Sequence, residues 1–112
     1  MRRVIIESPY AGDVEENLRY LRACLRDSLL RGEAPFASHG LYTQAGVLDD
    51  TDPEERATGI EAGFAWRPAA EATVVYTDRG ISHGMHQGIE DARCNGRIIE
   101  YRVLPMEAWP GR

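Results

Sequence analysis

Directly after the apolar run at 73–76, the segment Gly80-Ile81-Ser82-His83-Gly84-Met85-His86-Gln87-Gly88 spaces three glycines four residues apart. A strand that stops there and a helix that starts there leave little choice of architecture, because strand, glycine loop and helix are the repeating unit of a parallel α/β sheet. In such a loop the backbone N–H groups lie close to an anionic ligand at the positive end of the helix. A phosphate or a sugar suits that position.

The remaining segments fit the same pattern. Val4-Ile5-Ile6 is a short interior strand that feeds the loop Ser8-Pro9-Tyr10-Ala11-Gly12. Asp13 then caps a helix, with Glu16 completing a capping box, and Val14, Leu18, Leu21, Leu25 and Leu29 fall on one face until Gly32 stops it. A weak strand at 34–37 leads into a long loop, 38–50, holding His39, Tyr42, Gln44, Asp49 and Asp50, a candidate ligand wall. Thr51 and Glu54 make a second capping box, and the helix they open turns Ala57, Ile60 and Phe64 inward before ending at Trp66-Arg67-Pro68. The glycine-spaced helix runs to about Asn95, Gly96 caps it, and 98–103 is the last strand. The order β-α-β-α-β-α-β predicts an α/β/α three-layer sandwich around a parallel sheet of four to five strands with right-handed crossovers. Residues 1–104 form its single domain and 105–112 an irregular tail.

Composition narrows the function classes. At 112 residues and 43% apolar content the chain has room for one core and no separate substrate domain. Net charge is −5 and every basic residue is arginine, so no basic stripe tracks a nucleic-acid polymer and no lysine is available for Schiff-base chemistry. A free nucleotide stays open as a partner, and a membrane does not. Cys24 and Cys94 both fall inside predicted helices, with no signal peptide or long apolar span before them, which points to reduced, structural thiols in the cytoplasm.

In an open parallel sheet, ligands bind outside the carboxyl ends of the strands. Residues 8–13, 39–50, 78–85 and those after 103 therefore share one rim. The rim gathers Glu7 or Asp13, Asp49, Asp50, Glu54, Asp78 and the Ser82 hydroxyl, a supply of acceptors and donors suited to a sugar bearing a phosphate.

Four strings carry a family resemblance: Ser-Pro-Tyr-Ala-Gly-Asp at 8–13 with the following Glu-Glu-Asn, Leu-Asp-Asp-Thr-Asp-Pro-Glu-Glu-Arg at 48–56, Asp-Arg-Gly-Ile-Ser-His-Gly-Met at 78–85, and Arg-Ile-Ile-Glu-Tyr-Arg at 97–102. Together, over 4–103, the chain resembles the nucleoside 2-deoxyribosyltransferase-like superfamily, most closely its small bacterial and phage members. The resemblance implies a flavodoxin-like sandwich, a homo-oligomer of two or more copies in which a neighbour often closes the site, and chemistry at an N-glycosidic bond. It implies a binding set as well: Ser8 and Gly12 in the first loop, Asp49 and Asp50 in the acidic loop, and Asp78, Gly80, Ile81, Ser82, Gly84 and Met85 in the third. Asp13, His39, Tyr10 and Tyr42 complete the candidate ligand contacts.

The family's enzymes attack the anomeric carbon with a glutamate of the pattern Gly-Met-x-x-Glu, and here that position is Gly88. Glu90, two residues on, lies about 200° around the helix from it. The family's first-strand tyrosine is likewise replaced by Ile5 or displaced to Tyr10. Glu7 at the strand end, Glu61 on the second long helix and Glu90 are the candidate catalytic carboxylates, each with a bland reading as a capping or surface group. Gly84 and Gly88 serve either ligand approach or close helix packing, and Asp49 and Asp50 either contact ligand or simply precede a capped helix. His83 and His86 share a helix face without a third ligand nearby, so no metal and no cofactor is expected. Two functions follow: an enzyme that cleaves or transfers the N-glycosidic bond of a (deoxy)nucleoside 5'-monophosphate, or a non-catalytic binder of a nucleotide or nucleotide-derived signal. An assembly role on an inherited scaffold is a third option.

Overall fold

The computed structural model describes residues 1–109. Its strands β1 (Arg2–Glu7), β2 (Glu33–Phe36), β3 (Ala72–Tyr76) and β4 (Ile98–Arg102) form one parallel sheet in the order β2-β1-β3-β4. The helices are α1 (Val14–Leu30), the four-residue α2 (Ser38–Leu41), α3 (Pro53–Trp66) and α4 (His83–Cys94), with a 3-10 turn Arg67–Ala69 before β3. The strand count is the lower of the two anticipated, and the arrangement is flavodoxin-like.

The central strands β1 and β3 are apolar on both faces because helices cover both. Val4, Ile6, Val74 and Tyr76 meet Tyr20, Leu21 and Cys24 of α1, while Val75 meets Met85 and Ile89 of α4. Each aliphatic side chain so buried contributes about 1.5–3 kcal/mol. The leucine row of α1 is buried only in its middle: Leu21 is in the core and Leu18 and Leu25 pack against it, whereas Val14 and Leu29 are exposed and Asn17, Tyr20, Cys24 and Ser28 turn inward beside Leu21. Polar anchoring rotates the helix: Asn17 donates to the carbonyls of Tyr10 and Ala11, Tyr20 to Asp78 and Ser28 to Glu33.

On the α1 face the outer strands are tied by charge. Glu33 of β2 accepts two bonds from Arg102 of β4, at 2.6 and 2.8 Å, and a third from Arg2 at 2.6 Å. Arg2 and Arg102 also hold Glu100. These arginines keep both carboxyls low, at about 2.

Several local expectations need correction. The α3 cap is Asp52, not Thr51: its carboxylate accepts from the Glu54 amide at 3.1 Å, while Asp49 takes both the amide and hydroxyl of Thr51. At α1, Asp13 caps the Glu16 amide, but the Glu16 side chain turns to Arg19, so the reciprocal half of the box is absent. The loop at 38–50 contains α2, and α3 lies mainly against that insertion, meeting the sheet through Trp66 on Phe36 of β2, ring centres 6.0 Å apart. Gly59 and Gly63 allow the approach, because side chains there would meet Leu48 and Ser38. Ala57 is consequently exposed, while Ile60, also exposed, and the partly covered Phe64 turn towards the carboxyl-end cleft instead of the sheet. Cys24 is buried, whereas Cys94 is exposed with its thiol on Glu90, so the two cysteines do not share a structural role.

Residues 105–109 of the tail form no helix or strand, and they fold back on α1. Trp109 is buried, with its ring edge-on to Tyr20 at 4.9 Å and the Arg19 guanidinium 4.3 Å above it. Positions 110–112 of the expected irregular tail lie outside the described residues. No helix among those described is long and apolar enough to cross a membrane.

Candidate functional site

The strand order reverses between β1 and β3, where β2 lies to one side and β4 to the other. At the carboxyl ends of these two strands a cleft of about 370 Å³ opens, in the position where such sheets bind ligands. Three parts build it. Its floor is Glu7 and Ser8 at the end of β1, one side is the amino end of α4, and the outer wall is α2, the following loop and α3.

Glu7 is buried, and its Oε2 accepts from Arg67 Nη1 at 2.8 Å. Burial pushes its carboxyl up, and the Arg67 charge pulls against that shift. Arg67 is itself buried, with its guanidinium 4.4 Å above the Phe64 ring. Its Nε has no hydrogen-bond partner among the described residues. Next to Glu7, the Ser8 hydroxyl lies 2.7 Å from His39 Nε2. Burial first, and the Arg67 charge second, bring His39 down to about 4, so the ring is neutral at pH 7 and pairs with Ser8 as an uncharged partner.

Ser82 is the N-cap of α4 and accepts from the Met85 amide at 3.3 Å. The amides of His83 and Gly84 in the first turn take no partner among the described residues, as the first donors of a helix do unless something caps them. A Cβ placed on Gly84 would meet nothing within 4 Å. The amino end of α4 therefore opens on the cleft. The opposite wall is apolar, with Leu48, Ile60 and Phe64 beside Tyr42, whose hydroxyl accepts from Trp66 Nε1 at 3.1 Å. At the rim Asp50 pairs with Arg56 at 3.0 Å. No group of three or more His, Cys, Asp or Glu among the described residues is placed to hold a metal ion.

Of the candidate residues named from sequence, Glu7, Ser8, Tyr10, His39, Tyr42, Asp50, Ser82, Gly84 and Met85 line this one cleft. The others lie elsewhere. Asp78 is a structural tie, accepting from the Tyr20 hydroxyl at 2.6 Å and from the Leu104 amide. Gly80, at φ +82°, closes a turn by donating its amide to the Thr77 carbonyl, so the anion cradle narrows to His83 and Gly84. Ile81 faces a second groove, between α4 and Tyr101. Gly12 and Asp13 form the turn and cap that start α1, and Asp49 is occupied by Thr51. Glu61 is exposed on α3, and Glu90 is exposed and paired with Arg93 at 2.9 Å. Arg67 was invisible as a site residue, because nothing in Trp-Arg-Pro distinguishes it from the chain's other arginines.

The profile of DUF7768, a domain of unknown function, matches residues 2–102. The chain belongs to that family. No curated protein matches it. Among solved structures, this DUF7768 chain is similar to a 2-deoxyribosyltransferase from the psychrotolerant bacterium Bacillus psychrosaccharolyticus, with a TM-score of 0.64 at 14% identity, over 90% of this chain and 72% of the other. At that identity the likeness establishes a shared fold.

Proposed function

We propose that the DUF7768 cleft binds a nucleoside or nucleotide and acts on its N-glycosidic bond. One observation carries the reading: a single cleft at the β1/β3 switch point joins a helix amino end with two open amides, a buried carboxylate and an apolar wall. Each matches one part of such a ligand. The amides of His83 and Gly84 suit a phosphate or a sugar oxygen, Glu7 suits the anomeric carbon, and Tyr42, Leu48 and Phe64 suit a flat base. The fold shared with a 2-deoxyribosyltransferase supports the same ligand class.

In this reading Glu7 replaces the carboxylate missing at 88. Its oxygen bonds to C1' as the C1'–N bond breaks and the departing base takes a proton from water; a second water, or an acceptor base, then attacks C1', releasing its proton to solvent and the Glu7 carboxylate. Glu61 and Glu90, away from the cleft, have no such part. The protein works as a cytoplasmic homo-oligomer, and the Ser8–His39 pair, uncharged, orients the sugar. A second reading, a binder without turnover, draws on the Arg67–Glu7 bond itself, since a carboxylate so held is also a stable structural pair.

Incubation with a panel of nucleosides and their 5'-monophosphates, followed by chromatography, separates the two. Glycosidic chemistry gives free base from the wild type and none from Glu7→Gln. Intact ligand together with a thermal shift supports the binder, and no thermal shift with any member removes both readings.

A further inference from the structure

Gly88 lies under the cleft, and a methyl group there has no room. A Cβ built on it would fall 2.0 Å from Glu7 Oε2 and 2.4 Å from its Cδ. Glu7 cannot easily yield, because its side chain is 7% exposed, that of Arg67 is 9% exposed, and the two are bonded at 2.8 Å. The strand accounts for the approach: Val4 and Ile6 belong to the α1 core, so alternation sends the Glu7 side chain to the opposite face, where α4 lies.

The underside of α4 is charged beyond this point. Three residues past Gly88, on the same side of the helix, Asp91 bonds Arg97 at 2.9 Å, and the Arg97 side chain is 6% exposed. Arg67, Asp91 and Arg97 are the charges that act on Glu7, with neutral His39 across the cleft. A helix–sheet contact that is ordinarily apolar thus holds Arg67, Glu7, Asp91 and Arg97, and the one bare Cα among them is Gly88.

We propose that Gly88 is a positioning residue: the bare face of α4 at 88 is the seat on which Glu7, reaching across from β1, presents its carboxylate at the floor of the cleft. The proposal rests on the reading of the cleft given above and names what holds its carboxylate in place. Side chains at 7 and 88 then exclude one another, and a carboxylate on β1 requires a glycine on α4.

Thermal melts of Gly88→Ala, made in the wild type and in a Glu7→Ala, Arg67→Met background that removes the carboxylate without stranding the guanidinium, test the seat directly. Gly88→Ala should lower Tm by more than about 5 °C in the wild type and by less than about 2 °C in the second background. In the wild type it should also move the titration midpoint of the Glu7 carboxyl carbon, followed by carbon-13 NMR, and cut base release roughly 100-fold. Equal losses of Tm in the two backgrounds, or an unmoved Glu7 titration, overturn the proposal. If Gly88→Ala fails to fold alone, folding of the triple variant is the expected result and failure of both overturns it. A wild type that releases no base refutes the enzymatic reading, while the melts and the titration still decide the seat.

Discussion

Arg67→Met should turn the stability of this domain into a function of pH. Arg67 is buried, donates to Glu7 at 2.8 Å and stacks on Phe64. Methionine keeps much of the volume over Phe64 and removes the charge, stranding a carboxylate in the interior. Breaking a buried pair from one side costs about 3–5 kcal/mol, which for a domain of this size is a fall in Tm of roughly 10–20 °C. The sign with pH follows from Glu7. Its folded-state carboxyl is already raised by burial, and loss of Arg67 raises it further. A raised carboxyl contributes stability below its unfolded value and loses it as pH climbs through the folded value, because the folded chain then holds an uncompensated charge. Urea denaturation followed by circular dichroism at pH 7.5 and pH 5 should therefore show a large deficit at the higher pH and a smaller one at the lower. A deficit below about 1 kcal/mol at pH 7.5, or one that does not change with pH, would refute the reasoning.

Glu33→Gln, which breaks the buried contacts with Arg102, Arg2 and Ser28, should cost about 3–5 kcal/mol near neutrality in a urea titration. Glu33 and Glu100 are held at about 2, so their stabilisation is complete above the ordinary glutamate range and is lost as pH falls towards 2; the variant should flatten that acid limb. His39 should stay neutral to well below pH 6, with its imidazole nitrogens titrating by NMR near 4, and stability should decline as the pH falls below 6.5 towards that value; a midpoint above 6 contradicts its burial beside Arg67. Trp109→Ala removes the contacts with Tyr20 and Arg19 and should cost about 3–5 kcal/mol, whereas a change within 0.5 kcal/mol, as on an ordinary surface, would mean that the tail does not belong to the core.

The parallel sheet was readable because its central strands are short and apolar and its helices begin at capping residues. The departures arise where long-range contacts override local pattern. The middle leucines of α1 do meet the core, but the hydroxyls of Tyr20 and Ser28 found partners in Asp78 and Glu33 and turn the helix ends away from the leucine row, and no local signal specifies those pairings. Ala57, Ile60 and Phe64 read as an inward stripe, yet α3 rests on α2 and its loop, so Ala57 is exposed and Ile60 and Phe64 line the cleft instead of the sheet. The rim was predictable from strand order, which brings Ser8, His39, Ser82 and Gly84 to one cleft without any ligand knowledge. Asp78 and Gly80 were grouped with them by sequence proximity, but Asp78 ties the start of the tail to Tyr20 of α1 and Gly80 closes the turn that precedes α4. Glu7 illustrates the limit. Strand parity sends it to the α4 face, but its burial depends on a glycine more than 80 positions away in sequence and on an arginine from a 3-10 turn.

Titration of the isotope-labelled protein with a nucleoside 5'-monophosphate, followed through amide chemical shifts, tests the central claim most directly. Saturable shifts at the His83 and Gly84 amides, accompanied by Ser8 and Tyr42, are predicted. Saturable shifts confined to the groove of Ile81, His86 and Tyr101, with the first turn of α4 unmoved, would contradict the account.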